Sequence, residues 1–214
     1  MAKERWSYGE KKSQELHRER QEQIIQASAQ LMQERGFQGM TLQEVADQLE
    51  CTKAALYYYI EDKQALLFRI HSQVMTLLLE EVDRILRTDQ SATLKARAFI
   101  ESQVHLVANH PALFTVYFHE KNQLKPEHGE AVTQMERKIV RALETILRKG
   151  IESGDFELVD PTVAAFTIFG ASSWVYRWYR PQGRLSIDEV ALIVQRMVLQ
   201  GVERKSSSSG AVPL

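Results

Sequence analysis

Apolar residues recur every three or four positions along most of the chain. No stretch of useful length alternates between apolar and polar residues, so the pattern does not predict β-strands. It predicts an all-α fold of about nine helices. A long helix is expected from Asp62 to about Arg87. Its apolar stripe consists of Leu66, Leu67, Ile70, Val74, Leu77, Leu78, Val82 and Ile85.

Residues 41–63 predict two short helices with a tight break between them. Thr41 followed by Glu44 has the spacing of a capping box at the start of the first helix. Thr52 is an N-cap candidate for a second helix of about two turns, ending near Ile60. Leu56 and Ile60 are four residues apart, so they share one face and would point inward. The residues left facing outward are Thr52, Lys53, Ala55, Tyr57 and Tyr58.

Caps and breakers place the other helices. A first helix is expected over about 16–35, ended by Gly36 in a left-handed conformation. Further helices are expected over about 92–109, 111–119, 126–153 and 161–179, and from 187 onward. These elements suggest an N-terminal arm and a small helical head over 1–62, a helical body over 63–205, and a disordered tail over 206–214.

The last two helices carry more apolar surface than one core needs. The helix after Pro161 is apolar on nearly every side, which indicates burial by both the core and a partner. We therefore expect these two helices to form a homodimer interface. The stripe of the final helix is Val190, Ile193, Val194, Met197, Val198 and Val202.

Composition narrows the functional classes. The 214 residues contain a single cysteine, Cys51, which excludes an intrachain disulfide framework and fits a reducing cytoplasm. No apolar run is long enough to span a membrane. Gly-rich phosphate loops, GxSxG and HExxH are absent, so we expect no enzymatic activity, no metal site and no cofactor.

The net charge of −1 does not by itself indicate a nucleic-acid-binding protein. Three consecutive tyrosines on a short helix indicate a binding surface. One helix buries only one apolar stripe, so at least one ring must face solvent or a partner. Small, hydroxyl-bearing and cationic neighbours suit a helix in a DNA major groove. The arm could add phosphate contacts, or it could be a frayed tail. Its cations are Lys3, Arg5, Lys11, Lys12, Arg18 and Arg20.

From about Arg20 to Leu67 the chain resembles the TetR-type, tetracycline-repressor-like bacterial transcription regulators. Cys51 and Ile60 depart mildly from the family pattern, and both keep an apolar character. The resemblance implies operator DNA as a partner, bound through Thr41, Thr52, Lys53, Ala55, Tyr57, Tyr58 and Lys63. The matching residues are Ile24, Ala27, Ala29, Gly36, Phe37, Thr41, Leu42, Val45, Ala46, Leu49, Thr52, Lys53, Leu56, Tyr57, Tyr59, Lys63 and Leu67.

The body is the expected place for a small-molecule effector, because the interiors of helix bundles commonly bind ligands. Residues 174–186 mix arginines with aromatics and resemble the ending of the TetR-type branch that responds to acyl-CoA thioesters. Residues 110–120 are similar to the same branch. Ordinary core packing, a helix cap or a dimer interface would also account for these side chains. The ligand candidates are Phe99, Phe114, Tyr117, Phe118, Phe169, Trp174, Arg177 and Arg180.

The sequence thus predicts a cytoplasmic, homodimeric repressor that an acyl-CoA releases from a palindromic operator. A repressor of drug efflux that senses lipophilic compounds is one alternative, and it would need acidic or aromatic pocket residues without a basic mouth. A helical protein-interaction module without DNA binding is another, but the intact outward-facing set from Thr52 to Lys63 argues against it.

Overall fold

Most helices after α1 begin where the sequence predicts. The computed structural model describes the backbone of residues 2–157 and 159–200, and the side chains from residue 14 onward within those ranges. These residues form α-helices and one short 3₁₀ helix, η1, without a β-strand, so the predicted all-α fold is confirmed. The elements are α1 (Ala2–Gly39), α2 (Leu42–Gln48), α3 (Lys53–Tyr57), α4 (Lys63–Leu86), α5 (Ala92–Asn109), α6 (Pro111–His119), η1 (Lys121–Gln123), α7 (Pro126–Ser153), α8 (Pro161–Ser173), α9 (Val175–Trp178) and α10 (Ile187–Leu199).

The first helix differs from its prediction at both ends. Its backbone is helical from Ala2 rather than from about Leu16. The predicted phosphate contacts of the arm before Gln14 lie outside the described side chains. Gly36 interrupts the helix with φ 72° and ψ 167°. The positive φ was expected, but the ψ is extended rather than left-handed helical, a region that is essentially restricted to glycine.

Two predicted helices are shorter in the structure. The helix expected to reach Tyr179 ends at Ser173, and the short α9 follows. Ser172 lies at this break, and its hydroxyl donates to the Ile168 carbonyl at 2.7 Å. Such back-bonding often bends helices. Likewise, α3 ends at Tyr57 rather than near Ile60 because the last amides bond three residues back, which tightens the final turn.

Residue contacts divide the chain into two compact units. Unit 1 comprises the residues up to Thr76 together with His110–Thr133, and unit 2 comprises Leu77–Asn109 together with the residues from Gln134 onward. Helix α4 supplies residues to both. The boundary expected between 62 and 63 stays a prediction, and the tail over 206–214 lies outside the described residues.

Unit 1 is built on the packing of α1 against α6 and of α2 against both α1 and α3. Polar side chains fasten α6 and the segment after it to α1 and α4. Gln33 donates to Thr115 Oγ1 at 3.1 Å, and Gln38 donates to Gln123 Oε1 at 2.9 Å. Gln64 donates to the Gln123 carbonyl at 2.9 Å. The fully buried side chains include Ile24, Met32, Met40, Leu56, Leu66, Leu67, Ile70, Leu113 and Phe114.

Unit 2 is centred on α5, which packs against α8, α9 and α10. Gln103 is buried and joins α5 to α8 by donating to Ser173 Oγ at 2.6 Å, and its Oε1 lies 2.7 Å from Ser172 Oγ, which shares its single proton with the Ile168 carbonyl. Gln195 of α10 donates to the Arg97 carbonyl at 3.0 Å. Because a buried polar group is costly without partners, these bonds fix how the helices of this unit pack. No helix among the described residues is long and apolar enough to cross a bilayer.

Candidate DNA-binding surface and effector region

The start of α2 is held by the predicted capping box. The Thr41 amide donates to Glu44 Oε2 at 2.8 Å, and the Glu44 amide donates to Thr41 Oγ1 at 3.3 Å. Arg35 forms an ion pair with the same carboxylate. The bonds from Thr41 hold the pKa of Glu44 below its ordinary value, and the charge of Arg35 lowers that pKa further. This network links α1 to the start of α2.

A left-handed residue makes the tight break between α2 and α3. Glu50 has φ 52°, the one positive φ at a non-glycine residue among the described residues. The Cys51 amide donates to the Ala46 carbonyl at 2.9 Å, and the Glu50 amide donates to the Asp47 carbonyl at 3.1 Å. These two bonds form a Schellman motif, which usually has glycine at the left-handed position. Cys51 is a half-buried residue of this turn.

Helix α3 presents most of its surface to solvent. Thr52 caps it by accepting from the Ala55 amide at 3.1 Å. Leu56 and Ile60 are buried as predicted, and they anchor the helix to the core of unit 1. The side chains of Tyr57 and Tyr58 are 48% and 75% exposed, which is high for aromatic rings. The outward-facing residues are Thr52, Lys53, Ala54, Ala55, Tyr57 and Tyr58.

Two side chains that were predicted to contact DNA form hydrogen bonds within the protein. The Thr41 hydroxyl donates to Glu44 Oε2 at 2.8 Å. Lys63 Nζ donates to the Gln38 carbonyl at 3.2 Å and lies 4.7 Å from the centre of the Phe37 ring. Partial burial lowers the pKa of Lys63, against the opposing charges of Glu120 and Glu44. As DNA contacts, Thr41 and Lys63 stay predictions.

Asp62 caps α4 by accepting from the Ala65 amide at 2.6 Å. A negative side chain therefore occupies the N-terminus of this helix.

The eight ligand candidates belong to different units. Phe114, Tyr117 and Phe118 are on α6 in unit 1, where Phe114 and Tyr117 are buried and the rings of Tyr117 and Phe118 meet edge to face at 4.9 Å. The candidates in unit 2 range from buried Phe99 on α5 and half-buried Phe169 on α8 to three exposed side chains. These exposed candidates are Trp174, Arg177 and Arg180.

Sequence reasoning missed a groove in unit 2 between α4 and α5. Its volume is about 500 Å³. His105 on its wall bonds Asp188 of α10 at 3.0 Å, and Arg84 pairs with Glu81 at 2.6 Å. The i, i+3 spacing of Glu81 and Arg84 is the sequence signal that could have indicated this groove. Such pairs usually lie on solvated helix faces, so the spacing alone does not predict a groove. The lining residues are Glu81, Arg84, Ala98, Glu101, Ser102, His105, Leu106 and Asn109. Among the described residues, no group of three or more His, Cys, Asp and Glu could hold a metal ion.

Two family models match the chain. The model described as bacterial regulatory proteins of the tetR family matches residues 24–70, which include α2, α3 and the turn between them. The model described as the tetracyclin repressor-like C-terminal domain matches residues 89–202, more than half of the chain. The chain belongs to the TetR family. The predicted resemblance is confirmed, and α2 and α3 form the helix-turn-helix of this DNA-binding regulator.

Named relatives of this TetR-family regulator include a transcriptional repressor and a regulator of fatty acid metabolism. The HTH-type transcriptional repressor KstR2 of Rhodococcus jostii is 24% identical, covering 86% of this chain and 91% of its own. The fatty acid metabolism regulator protein of Bacillus subtilis is 23% identical, covering 86% of this chain and 95% of its own. The crystal structure of AibR in complex with isovaleryl coenzyme A and operator DNA is 30% identical, with a TM-score of 0.75, and covers 85% of this chain and 97% of AibR.

Proposed function

We propose that this TetR-family protein is a homodimeric transcriptional repressor that an acyl-CoA releases from a palindromic operator. The observation that carries the proposal is the likeness to AibR, which binds both isovaleryl coenzyme A and operator DNA. The regulator of fatty acid metabolism in Bacillus subtilis supports the same class of effector.

The exposed face of α3 supports the contact with DNA. Small side chains at Ala54 and Ala55 allow the backbone to approach a major groove closely, and Lys53 and the tyrosine hydroxyls can reach phosphates and base edges. Lys53 Nζ lies 5.9 Å from the centre of the Tyr57 ring, so the cation and the phenol occupy one patch.

An unpaired apolar surface on α8 and α10 supports a homodimer. These two helices contact each other in unit 2, and both expose large apolar side chains. Burying such side chains against a second copy removes apolar area from water. A two-fold dimer would place two recognition helices about one DNA turn apart, roughly 34–36 Å. The exposed apolar residues are Val163 and Phe166 on α8, Trp174 just after it, and Leu192, Ile193 and Met197 on α10.

Exposed arginines beside aromatics support a CoA effector. Arg177 is on α9, and Arg180 follows it with Nη1 donating to the Tyr179 carbonyl at 2.8 Å. Guanidinium groups bind phosphates in a bidentate manner, and CoA carries several phosphates. Effector binding shifts the protein away from DNA only if the effector binds the released state more tightly than the DNA-bound state.

The first experiment measures fluorescence anisotropy of a labelled duplex from the upstream region of the gene, with and without acyl-CoAs of several chain lengths. We expect tight binding that one chain-length class abolishes. Arg177→Ala and Arg180→Ala should need more effector for release, with unchanged DNA affinity. Arg148→Ala, an exposed arginine on α7, is the matched control. If no acyl-CoA changes the binding of the protein to the duplex, the proposed class of effector is wrong. If the protein does not bind the duplex even at low salt, the proposed operator contact is wrong.

A second experiment tests the recognition face. Lys53→Ala and Tyr57→Ala should each weaken operator binding while leaving the fold and the dimer intact, because both side chains are exposed. Lys149→Ala removes an exposed cation from α7, outside the helix-turn-helix, and controls for net charge. Equal affinities for the two α3 variants and the control would contradict the assignment of α3.

A further inference from the structure

Three aromatic rings form a cluster at the end of α3, the second helix of the helix-turn-helix. His17 of α1 lies 4.9 Å from the Tyr59 ring centre and 5.8 Å from that of Tyr58, the latter in edge-to-face geometry. Tyr58 and Tyr59 also meet edge to face at 5.0 Å. His17 and Tyr59 are half-buried, whereas Tyr58 is 75% exposed. The cluster therefore joins the middle of α1 to the two residues that directly follow α3.

The orientation of the His17 ring is fixed from its own helix. Gln21 is one turn further along α1, and its amide nitrogen lies 3.1 Å from His17 Nε2. The ring is thus held by a hydrogen bond on one side and by two tyrosines on the other.

Tyr58 has little else to fix its direction. The exposed side chain follows the last turn of α3. The backbone hydrogen bonds there join each amide to the carbonyl three residues earlier. An exposed tyrosine free to change rotamer loses conformational entropy when it docks on a partner. Ring contacts with His17 and Tyr59 reduce that loss by holding the phenol in one direction, and edge-to-face pairs stabilise this arrangement.

We propose that His17 is a positioning residue for operator binding, which orients the Tyr58 phenol toward a DNA backbone phosphate. The proposal rests on the proposed contact of Tyr58 with DNA. The phenol hydroxyl donates to the phosphate oxygen, and His17 acts through the tyrosine without touching DNA. Sequence reasoning missed His17, although it lies seven residues before buried Ile24, on the inward face of α1.

A double-mutant cycle on the operator duplex tests this coupling. His17→Ala should weaken operator binding about fivefold, the scale expected from losing one aromatic pair. His17→Phe keeps a ring but loses the bond from Gln21, and it should stay within about twofold of the wild type. In a Tyr58→Ala background, His17→Ala should have almost no further effect. Thermal unfolding of each variant controls for loss of fold.

The outcomes separate this inference from the proposed function. If His17→Ala weakens binding equally with and without Tyr58, or if His17→Phe fails to restore it, His17 does not act by orienting the tyrosine and the inference is wrong. If Tyr58→Ala alone leaves the affinity unchanged while Lys53→Ala and Tyr57→Ala reduce it, α3 still binds DNA but Tyr58 does not, and the inference fails for that reason.

Discussion

Glu120 Oε1 accepts a hydrogen bond from the backbone amide of Phe37 at 3.0 Å. This amide directly follows Gly36, whose non-helical dihedral angles interrupt α1. A Cβ atom added at Gly36 would lie 3.3 Å from the same carboxylate oxygen. Glycine at this position thus permits both the positive φ and the close approach of Glu120, which lies at the end of α6.

Removing this acceptor should destabilise unit 1. Glu120→Ala leaves the Phe37 amide without its partner, and we expect the free energy of unfolding to fall by about 1–2 kcal/mol. Glu120→Gln keeps a carbonyl oxygen acceptor and should lose clearly less. Urea unfolding followed by circular dichroism measures the difference. Equal stabilities for the alanine and glutamine variants would show that the hydrogen bond contributes nothing.

The capping box of α2 should make stability depend on pH. The pKa of Glu44 is lowered from 4.5 in the folded protein, chiefly by the bonds from Thr41. The unfolded chain therefore binds more protons in this range, and stability rises with pH. The contribution is fully present above pH 4.5 and is lost as the pH falls through the lowered pKa.

The test compares urea midpoints of the wild type and Glu44→Gln from neutral pH downward. The two should differ most near neutrality and converge in acid. Glu189→Gln is a matched case, because Ser186 lowers the pKa of Glu189 in the capping box of α10. A difference between wild type and Glu44→Gln that stays constant over the whole range would contradict the linkage.

Two glycines of α7 should respond oppositely to alanine. A Cβ atom at Gly150 would clash with the buried ring of Phe156, whereas one at Gly129 would meet nothing within 4 Å. We expect Gly150→Ala to destabilise the protein by about 1–3 kcal/mol through overpacking. Gly129→Ala should stabilise it by up to about 1 kcal/mol, because alanine favours helix. Thermal unfolding distinguishes the two, and equal shifts would argue against the close approach.

A charge on the exposed face of α10 should break the proposed dimer. Met197 is 73% exposed in the single chain. Met197→Glu would bury an unpaired carboxylate at the interface, so the dimer dissociation constant should rise about tenfold or more, equivalent to about 1.4 kcal/mol. Sedimentation equilibrium measures it, with Thr145→Glu on the exposed face of α7 as the control. A dimer unaffected by the Met197 change would place the interface elsewhere.

Helix ends were predicted most accurately where local chemistry determines them. The box at Thr41 and the starts of α6, α8 and α10 all lie where expected, and Asp160 and Ser186 cap the last two of these helices. Each involves residues within one turn of each other, so a single sequence contains the information. The predictions were wrong for the ends of α8 at Ser173 and of α3 at Tyr57. The sequence has only weak cap signals there, and a side-chain hydrogen bond or a tighter last turn ends the helix.

The sequence by itself determined the all-α class, the helix-turn-helix and which face of α3 is exposed, because helical periodicity and capping act over a few residues. The tertiary structure decided what the periodic pattern cannot contain. It turned Lys63 toward Gln38, bonded Glu120 to Phe37 across 83 residues and set His17 against Tyr58. These contacts depend on how separate helices pack, and packing is fixed by the fit of many side chains at once.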